Sequence, residues 1–279
     1  MLELYHNDMS TCSQKVRLAL AEKGQAFTSH TFNLRAGEHK NEAYLKLNPN
    51  GVVPTIVHDG AVIIDSSIIK EYIDDRWPEP SLRPQDPIER ARMRRWTKQL
   101  DDGVHAMGAV VSFSIAFRHE MFALNGKEAV ENNIAAIPDP VRREFMSENV
   151  IKGVESKFLP GALQRFRKAV EDMDAVLGNS AWLAGETYSL ADIGLTPYIL
   201  RLDNLALNWL WDDKATISSW FERIKARPAY QDAVANWYNE GAIELMQTHG
   251  RAPVSYTHLR AHETKTRISV GVVWSYKGG

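Results

Sequence analysis

The stretch that decides the fold is residues 48–66, which reads NPNGVVPTIVHDGAVIIDS. A loop of turn-forming residues leads into Val53-Pro54, and two short apolar runs follow, separated by an Asp-Gly pair at 59–60. Asp-Gly accepts the positive φ angles of a type I′ turn, so the two runs are predicted to form a β-hairpin. A helical pattern begins at Asp65-Ser66. The stretch therefore predicts a loop, a hairpin and a helix start, in that order.

Strand and helix patterns alternate on both sides of this stretch. Residues 2–5 and 26–32 have the character of strands, whereas residues 13–23 and 38–47 have apolar residues at helical spacing. Residues 66–76 again have helical spacing. With the hairpin, the order is strand–helix–strand, helix, strand–strand–helix. This order predicts a mixed sheet with helices packed against it.

The pattern breaks after residue 76. Residues 77–87 contain four prolines, and proline fixes φ and lacks a backbone donor, so we predict a linker there. From residue 88 to about residue 250 only helical patterns are found, beginning with one long helix over about 90–117. The sequence therefore predicts an α/β domain at 1–76, the linker at 77–87 and an all-α domain at 88–250.

Residues 251–279 do not continue this helical spacing. They read like translated vector sequence joined to the gene, or like a disordered tail, and we assign them no function. The formal net charge of −2 gives no reason to expect a nucleic acid as partner. The sequence contains no run of about 18 apolar residues, so it predicts no membrane span. One cysteine and no signal-peptide pattern predict a cytoplasmic protein.

Val53-Pro54 is the first of three features that point to a small anionic peptide as ligand. A cis peptide bond here would turn the backbone N–H and C=O of Val53 outward from the sheet edge, where an extended ligand could pair with them. The alternative is an ordinary trans proline that opens an edge strand.

Asp65-Ser66 is the second feature, because it lies at the start of a helix. The positive helix end and its unpaired N–H groups favour a carboxylate, and the serine hydroxyl adds a donor. The alternative is that one of the two residues only caps the helix.

The third feature is the run Ser10, Thr11, Cys12 and Ser13, between the first strand and the first helix. A hydroxyl there could donate to a ligand thiolate, which the helix dipole would also stabilise. The alternative is a plain helix cap, with Cys12 as a small buried apolar residue. Lys15 occupies the place of a second cysteine, so dithiol chemistry is not supported.

These motifs, taken in order, resemble the thioredoxin-like domain of the cytosolic glutathione S-transferase superfamily. Lys15-Val16-Arg17 and Glu22-Lys23-Gly24 also fit that pattern, and residues 189–193 (SLADI) resemble the buried capping box in the family's helical domain. The resemblance extends from residue 1 to about residue 250. It implies a thioredoxin-like N-terminal domain, an all-α C-terminal domain, a homodimer, and glutathione as co-substrate.

The resemblance also implies roles for individual residues. Val53, beside Pro54, would pair with the cysteinyl backbone of glutathione, and Asp65 with Ser66 would hold the γ-glutamyl end. His39 or Lys40 would contact the glycyl carboxylate, unless both belong to a solvated helix face. The family uses Tyr, Ser or Cys to assist the thiol. Tyr5 is placed as in the Tyr-using classes, whereas the Ser-Thr-Cys-Ser run is more similar to the Ser-using classes. The main candidates are Ser10 and Ser13, followed by Thr11 and Cys12.

A hydrophobic electrophile would bind against the helical domain. Apolar side chains on the long helix are the candidates for this pocket, although the same spacing is typical of core residues: Met107, Val111, Phe113 and Phe117. The polar stretch at 125–157 predicts an excursion or lid rather than core. The longer segment between Phe117 and Lys157, with the sequence RRWTK at 94–98 before it, resembles the same region of bacterial glutathione transferases that cleave β-aryl ethers of lignin fragments.

Three rival functions remain open from the sequence. They are a glutathione-dependent dehalogenase, a Cys12-dependent thiol oxidoreductase, and a glutathione or ligand binder without turnover. No histidine pair has the spacing of metal ligands, and no Gly-rich phosphate loop is present, so we predict no metal and no nucleotide.

Overall fold

A computed structural model describes residues 1–251 of the 279-residue chain. Apart from Arg251, the predicted tail at 251–279 lies outside the described residues. The first part of the chain alternates strands and helices, and from residue 87 onward the named elements of the described chain are all helical. The predicted α/β domain followed by an all-α domain is confirmed.

The sheet has four strands in the order β2-β1-β3-β4. β1 pairs parallel with β2 and antiparallel with β3, and β3 pairs antiparallel with β4. The strands are β1 (Leu2–His6), β2 (Thr28–Thr31), β3 (Thr55–His58) and β4 (Ala61–Ile64). The predicted hairpin is confirmed between β3 and β4, where Asp59 and Gly60 have φ angles of 50° and 84°.

Three helices accompany the sheet: α1 (Thr11–Glu22), α2 (Glu42–Leu47) and α3 (Ser66–Arg76). The prediction of one helix over 38–47 is wrong, because a 3-10 turn (Glu38–Lys40) and α2 are separate elements. Asn41 lies between them with an extended backbone, and its side chain accepts a hydrogen bond from Tyr44 N at 2.9 Å. Asparagine prefers this capping role to a place inside a helix, which explains the break.

The second half contains ten α-helices in the described chain. They are α4 (Pro87–Gln99), α5 (His105–Ser112), α6 (Arg118–Asn125), α7 (Lys127–Ala135), α8 (Pro140–Met146), α9 (Leu159–Leu177), α10 (Leu190–Asn204), α11 (Ala215–Lys225), α12 (Pro228–Ala233) and α13 (Glu240–Gly250). Two π-helical segments, Leu100–Val104 and Phe113–Phe117, join α4, α5 and α6 into one continuous helical stretch, which is kinked in the first segment. The predicted long helix is therefore interrupted, and Gly103 has a non-helical φ of 156° at the first π segment.

The segment predicted as an excursion has a small apolar core of its own. Val130 and Ile134 of α7 and Val150 are buried together, separate from the main core. Two of these residues lie four positions apart on one helix face, which places both against the same neighbour. Three polar residues of this segment, Glu148, Asn149 and Ser156, are also buried, so the sequence pattern understated its packing.

Buried residues of both halves form one continuous hydrophobic core. α1 is central to it, because it contacts α3 on one side and α10 and α12 on the other. The capping box at the start of α10 is present, with Ser189 and Asp192 both fully buried. Asp192 also accepts hydrogen bonds from Trp220 Nε1 at 2.9 Å and Leu183 N at 3.0 Å. No helix in the described part of the chain is long and apolar enough to cross a membrane.

Candidate active site

A cleft of about 640 Å³ lies between the sheet domain and the helical domain. The loop after β1 and the first residues of α1 form one wall, and α5 with the following π segment forms the other. Ser10 and Thr11 line the first wall, and Phe113 and Phe117 line the second. The cleft therefore brings hydroxyl groups at a helix N-terminus opposite aromatic side chains.

Ser10 is the residue that caps α1. Its Oγ accepts a hydrogen bond from Ser13 N at 3.3 Å, which leaves its own O–H available as a donor. Ser13 is fully buried, and its Oγ accepts from Asn7 N at 3.2 Å. Both serines therefore have structural bonds, but of the two only Ser10 lines the cleft in the described structure.

Cys12 lies on the opposite side of the same turn, against the helical domain. Its Sγ is 3.7 Å from Nδ1 of His105, and that nitrogen is 3.0 Å from the hydroxyl of Tyr198. Burial by itself would raise the pKa of Cys12, but the positive charge of Lys15 and the hydrogen bond with His105 outweigh it and lower the pKa to about 6. The hydrogen bond with Cys12 raises the pKa of His105 in turn. The pair therefore favours a thiolate beside an imidazolium.

The Val53-Pro54 peptide bond is cis in the structure. Val53 is buried and lies outside β3, and among the described residues neither its amide nor its carbonyl has a hydrogen-bond partner. The preceding residue is held firmly, because Tyr44 OH and Asn48 Nδ2 donate to Val52 O at 2.6 and 2.8 Å. A rigid loop thus presents one unpaired peptide edge.

Asp65 has a φ of 71°, a left-handed conformation that non-glycine residues seldom adopt. Its Oδ1 accepts from Ser67 N at 2.8 Å and from Ile68 N at 3.2 Å, so the capping role considered from the sequence is present. Ser66 is buried, and its hydroxyl bonds to Cys12, which helps to lower the pKa of that thiol. The start of α3 therefore lies beside the start of α1.

His39 and Lys40 lie in the 3-10 turn before α2. Lys40 Nζ donates to Gly51 O at 2.7 Å, while Nδ1 of His39 is buried and has no partner in the described structure. Burial lowers the pKa of both side chains, and the positive charge of Arg142 on α8 lowers both further. Three basic residues from two domains therefore lie within electrostatic reach of one another.

The four predicted pocket residues have different surroundings. Phe113 and Phe117 line the cleft, Val111 is fully buried in the core, and Met107 packs against that core while partly exposed. The spacing predicted all four on one helix, whereas Phe113 and Phe117 are the first and last residues of the π segment that follows α5.

Four residues at or beside the cleft were not among the predicted site residues. Arg35, His105 and Arg201 line the cleft, and Tyr198 contacts His105 and Cys12. His105 and Tyr198 meet Cys12 across 93 and 186 positions of sequence respectively, so no local spacing reveals the contact. Arg201 offered one signal, because it is the one basic residue of α10 and lies between two leucines. No group of three or more His, Cys, Asp or Glu residues in the described chain is placed to hold a metal ion.

The structure is a thioredoxin-like domain joined to a helical domain, with a cleft between them. Family models agree: residues 9–76 match the N-terminal domain of glutathione S-transferases and residues 130–240 match the C-terminal domain. The chain belongs to the glutathione S-transferase family.

Individual relatives are similar over most of their length. Protein LigF of Sphingobium sp. is 28% identical over 237 residues, which is 83% of this chain and 92% of that protein. Maleylacetoacetate isomerase of Pseudomonas aeruginosa is 30% identical over 235 residues, covering 83% and 95% of the two chains. The solved structure of the β-etherase LigF is similar with a TM-score of 0.72, at 27% identity, and covers 83% of this chain and 98% of that one.

Proposed function

We propose that this protein is an enzyme that uses the glutathione thiolate to attack an aromatic electrophile and to cleave β-aryl ethers. The observation that carries the proposal is the cleft in which Ser10, at the N-terminus of α1, faces Phe113 and Phe117. Similarity to a β-etherase over most of the chain supports the ether as the bond that is broken.

Glutathione would bind along the sheet domain. Its cysteinyl backbone would pair with the free amide and carbonyl of Val53, and its γ-glutamyl end would meet the N-terminus of α3 at Asp65 and Ser66. The glycyl carboxylate would lie near His39 and Lys40, and the positive charge of Lys40 favours an anion. These placements bring the sulfur to the start of α1.

Ser10 is the residue proposed to hold the thiolate. Its oxygen already accepts from Ser13 N, so its hydroxyl proton can be donated to the glutathione sulfur. The positive end of α1 adds to this stabilisation, and both effects lower the pKa of the bound thiol. A lower thiol pKa supplies the nucleophile at neutral pH.

The reaction itself is a displacement at carbon. The thiolate attacks the carbon next to a ketone, a C–S bond forms, the C–O bond to the aryl group breaks, and the electron pair leaves on a phenolate. Phe113 and Phe117 would orient the aromatic groups. The main work of the protein is then positioning and thiolate stabilisation.

A second candidate function is thiol exchange at Cys12, which the lowered pKa and the contact with His105 favour. Cys12 does not line the described cleft, whereas Ser10 does. Exchange at Cys12 would require its sulfur to reach glutathione, and the structure directs that sulfur toward the helical domain.

The test is turnover of a phenacyl aryl ether that releases a coloured phenolate in the presence of glutathione. We expect Ser10→Ala to lower kcat/KM by about 100-fold, since it removes one donor to the reacting sulfur. Cys12→Ala is the matched variant and should keep most of the activity. Loss of activity in Cys12→Ala with retention in Ser10→Ala would replace the proposal with the second candidate. Glutathione binding without turnover of any ether would contradict the proposal.

A further inference from the structure

Arg201 of α10 places a buried positive charge at the floor of the cleft. Its side chain is almost completely covered, with the residue 6% exposed, yet it lines the cleft. Nη1 donates to Ser112 Oγ at 2.9 Å and Nη2 donates to Met9 O at 2.5 Å. Both partners are neutral, so the charge of Arg201 is not balanced by either of them.

No carboxylate pairs with Arg201 anywhere in the described chain. Burial, reinforced by the like charge of Arg35, lowers its pKa to about 10. A buried cation without an anion is costly, which is why such groups are nearly always paired. The cost suggests that the partner of Arg201 is a ligand.

The acidic residues that line the cleft are engaged elsewhere. Glu120 pairs with Arg35 Nε at 2.8 Å, Asp8 accepts from Met9 N at 2.7 Å, and Glu38 accepts from Asn33 N at 2.5 Å. All three are less buried than Arg201. The cleft is therefore acidic toward its outer parts and positive at its floor.

Arg201 is also close to the proposed reacting centre. Met9 O and Ser10 N belong to one peptide unit, so the guanidinium lies one peptide away from the residue proposed to hold the sulfur. The ring centre of Phe117 is 4.0 Å from the guanidinium carbon of Arg35 and 4.9 Å from that of Arg201. An aromatic ligand that packs beside Phe117 would therefore bring a substituent close to Arg201.

We propose that the electrophile carries a carboxylate that pairs with Arg201. Arginine has five N–H donors in a planar fork that fits a carboxylate, and the two protein bonds leave three of them free. The inference rests on the proposed function, because it names the chemical class of the substrate of that same site. Glutathione itself is expected along the sheet domain, which leaves Arg201 to the second substrate.

The test uses two glutathione conjugates that differ in one group, a 4-carboxyphenacyl thioether and its methyl ester. Binding of each to the full-length protein is measured by calorimetry, and this readout needs no turnover. We expect the carboxylate to bind at least about tenfold more tightly than the ester, as a charge-assisted pair with a buried arginine should. Equal binding, or tighter binding of the ester, would overturn the inference while leaving the glutathione site intact.

Variants assign the preference to Arg201. We expect Arg201→Gln to bring the acid-to-ester ratio of affinities close to one, Arg201→Lys to retain part of it, and Arg92→Gln, at an exposed position outside this cleft, to leave it unchanged. If Arg201→Gln fails to fold, the acid-to-ester ratio of affinities in the wild type and in Arg201→Lys still tests the inference. An unchanged ratio in Arg201→Gln, together with a raised pKa of bound glutathione, would show that Arg201 serves the sulfur and overturn the inference. Failure of both conjugates to bind the wild type would overturn the proposed function and this inference together.

Discussion

Four consecutive side chains at the start of α1 have three different surroundings. Ser10 and Thr11 face the cleft, Cys12 contacts His105, and Ser13 is buried against the loop after β1. The helical rotation of about 100° per residue separates neighbours in this way. Neighbours in the sequence therefore lie in different places: two line the cleft, one contacts the helical domain, and one accepts a hydrogen bond from the loop after β1.

The thiol of Cys12 is predicted to ionise well below its ordinary pKa of 9.0, at about 6. Alkylation by iodoacetamide should therefore reach half of its maximal rate near pH 6, because the thiolate is the reactive form. Cys12 is the one cysteine of the sequence, so no other thiol contributes. His105→Ala should move this midpoint upward, since it removes a hydrogen bond to the thiolate. A midpoint above pH 8 in the wild type would contradict the described contact.

The sequence could predict which residue types gather at the start of α1, but not their partners. Ser10 through Ser13 stand out because hydroxyl and thiol groups precede an apolar helical pattern. His105 and Arg201 contribute from helices far along the chain, and their approach depends on how the two domains pack. Contacts of that kind have no local spacing, so only the fold reveals them.

At the level of elements, Arg17 fixes the loop that precedes Ser10. It is buried on α1 and donates to Asn7 O at 2.8 Å, Asp8 O at 2.7 Å and, through Nε, Ala233 O at 2.7 Å. The first two carbonyls belong to the loop, and the third belongs to α12 in the other domain. One side chain thus links a loop and two helices.

Arg17→Met should lower the free energy of unfolding by about 3 kcal/mol, because it removes three buried or partly buried charge-assisted hydrogen bonds and leaves their acceptors without this donor. Denaturant unfolding followed by circular dichroism measures the change. Arg92→Met, at an exposed position on α4, is the matched control and should change stability by less than about 0.5 kcal/mol. Equal stability of the two variants would show that Arg17 does not hold the loop.

Element types were more predictable than element boundaries. The hairpin followed from the Asp-Gly pair, and the helical half followed from apolar spacing after the proline-rich segment. The π segments around α5 were not predictable, because they keep the overall helical direction and depend on packing against neighbouring helices. The small core around Val130 was missed because only a few apolar residues contribute to it.

At the scale of the whole molecule, two buried lysines lie where the domains meet. Lys15 on α1 lies 5.5 Å from the ring centre of Tyr198, and Lys70 on α3 donates to Leu190 O at 3.3 Å. Each lysine comes from the sheet domain and contacts the helical domain. Because one core joins the halves, we expect these contacts to form and break with global unfolding.

Lys70 should make stability depend on pH. Burial, reinforced by the nearby charge of Lys15, lowers its pKa in the folded protein from 10.5 to about 7. Between pH 7 and pH 10.5 Lys70 is protonated in the unfolded chain but mostly neutral in the folded protein. The free energy of unfolding therefore increases as pH rises above 7, and this increase is lost as pH falls back through 7. From pH 7 to pH 9 the wild type should gain about 2–3 kcal/mol relative to Lys70→Met.

Urea unfolding at a series of pH values measures that difference. Lys98→Met is the matched control, because Lys98 is exposed and pairs with Asp102 at the surface. Its difference from the wild type should stay nearly constant over the same range. A constant difference for Lys70→Met as well would mean that the folded protein keeps Lys70 protonated.

The central claim is that this cleft lowers the pKa of the glutathione thiol through Ser10. The most direct measurement is a pH titration of the ultraviolet absorbance of bound glutathione thiolate, made in a Cys12→Ala background so that only the ligand sulfur contributes. We predict a thiol pKa of bound glutathione below neutral pH, and a rise of at least about one unit when Ser10→Ala is added. A bound thiol that ionises as it does in free glutathione, or a lowered pKa that is unchanged by Ser10→Ala, would contradict the account.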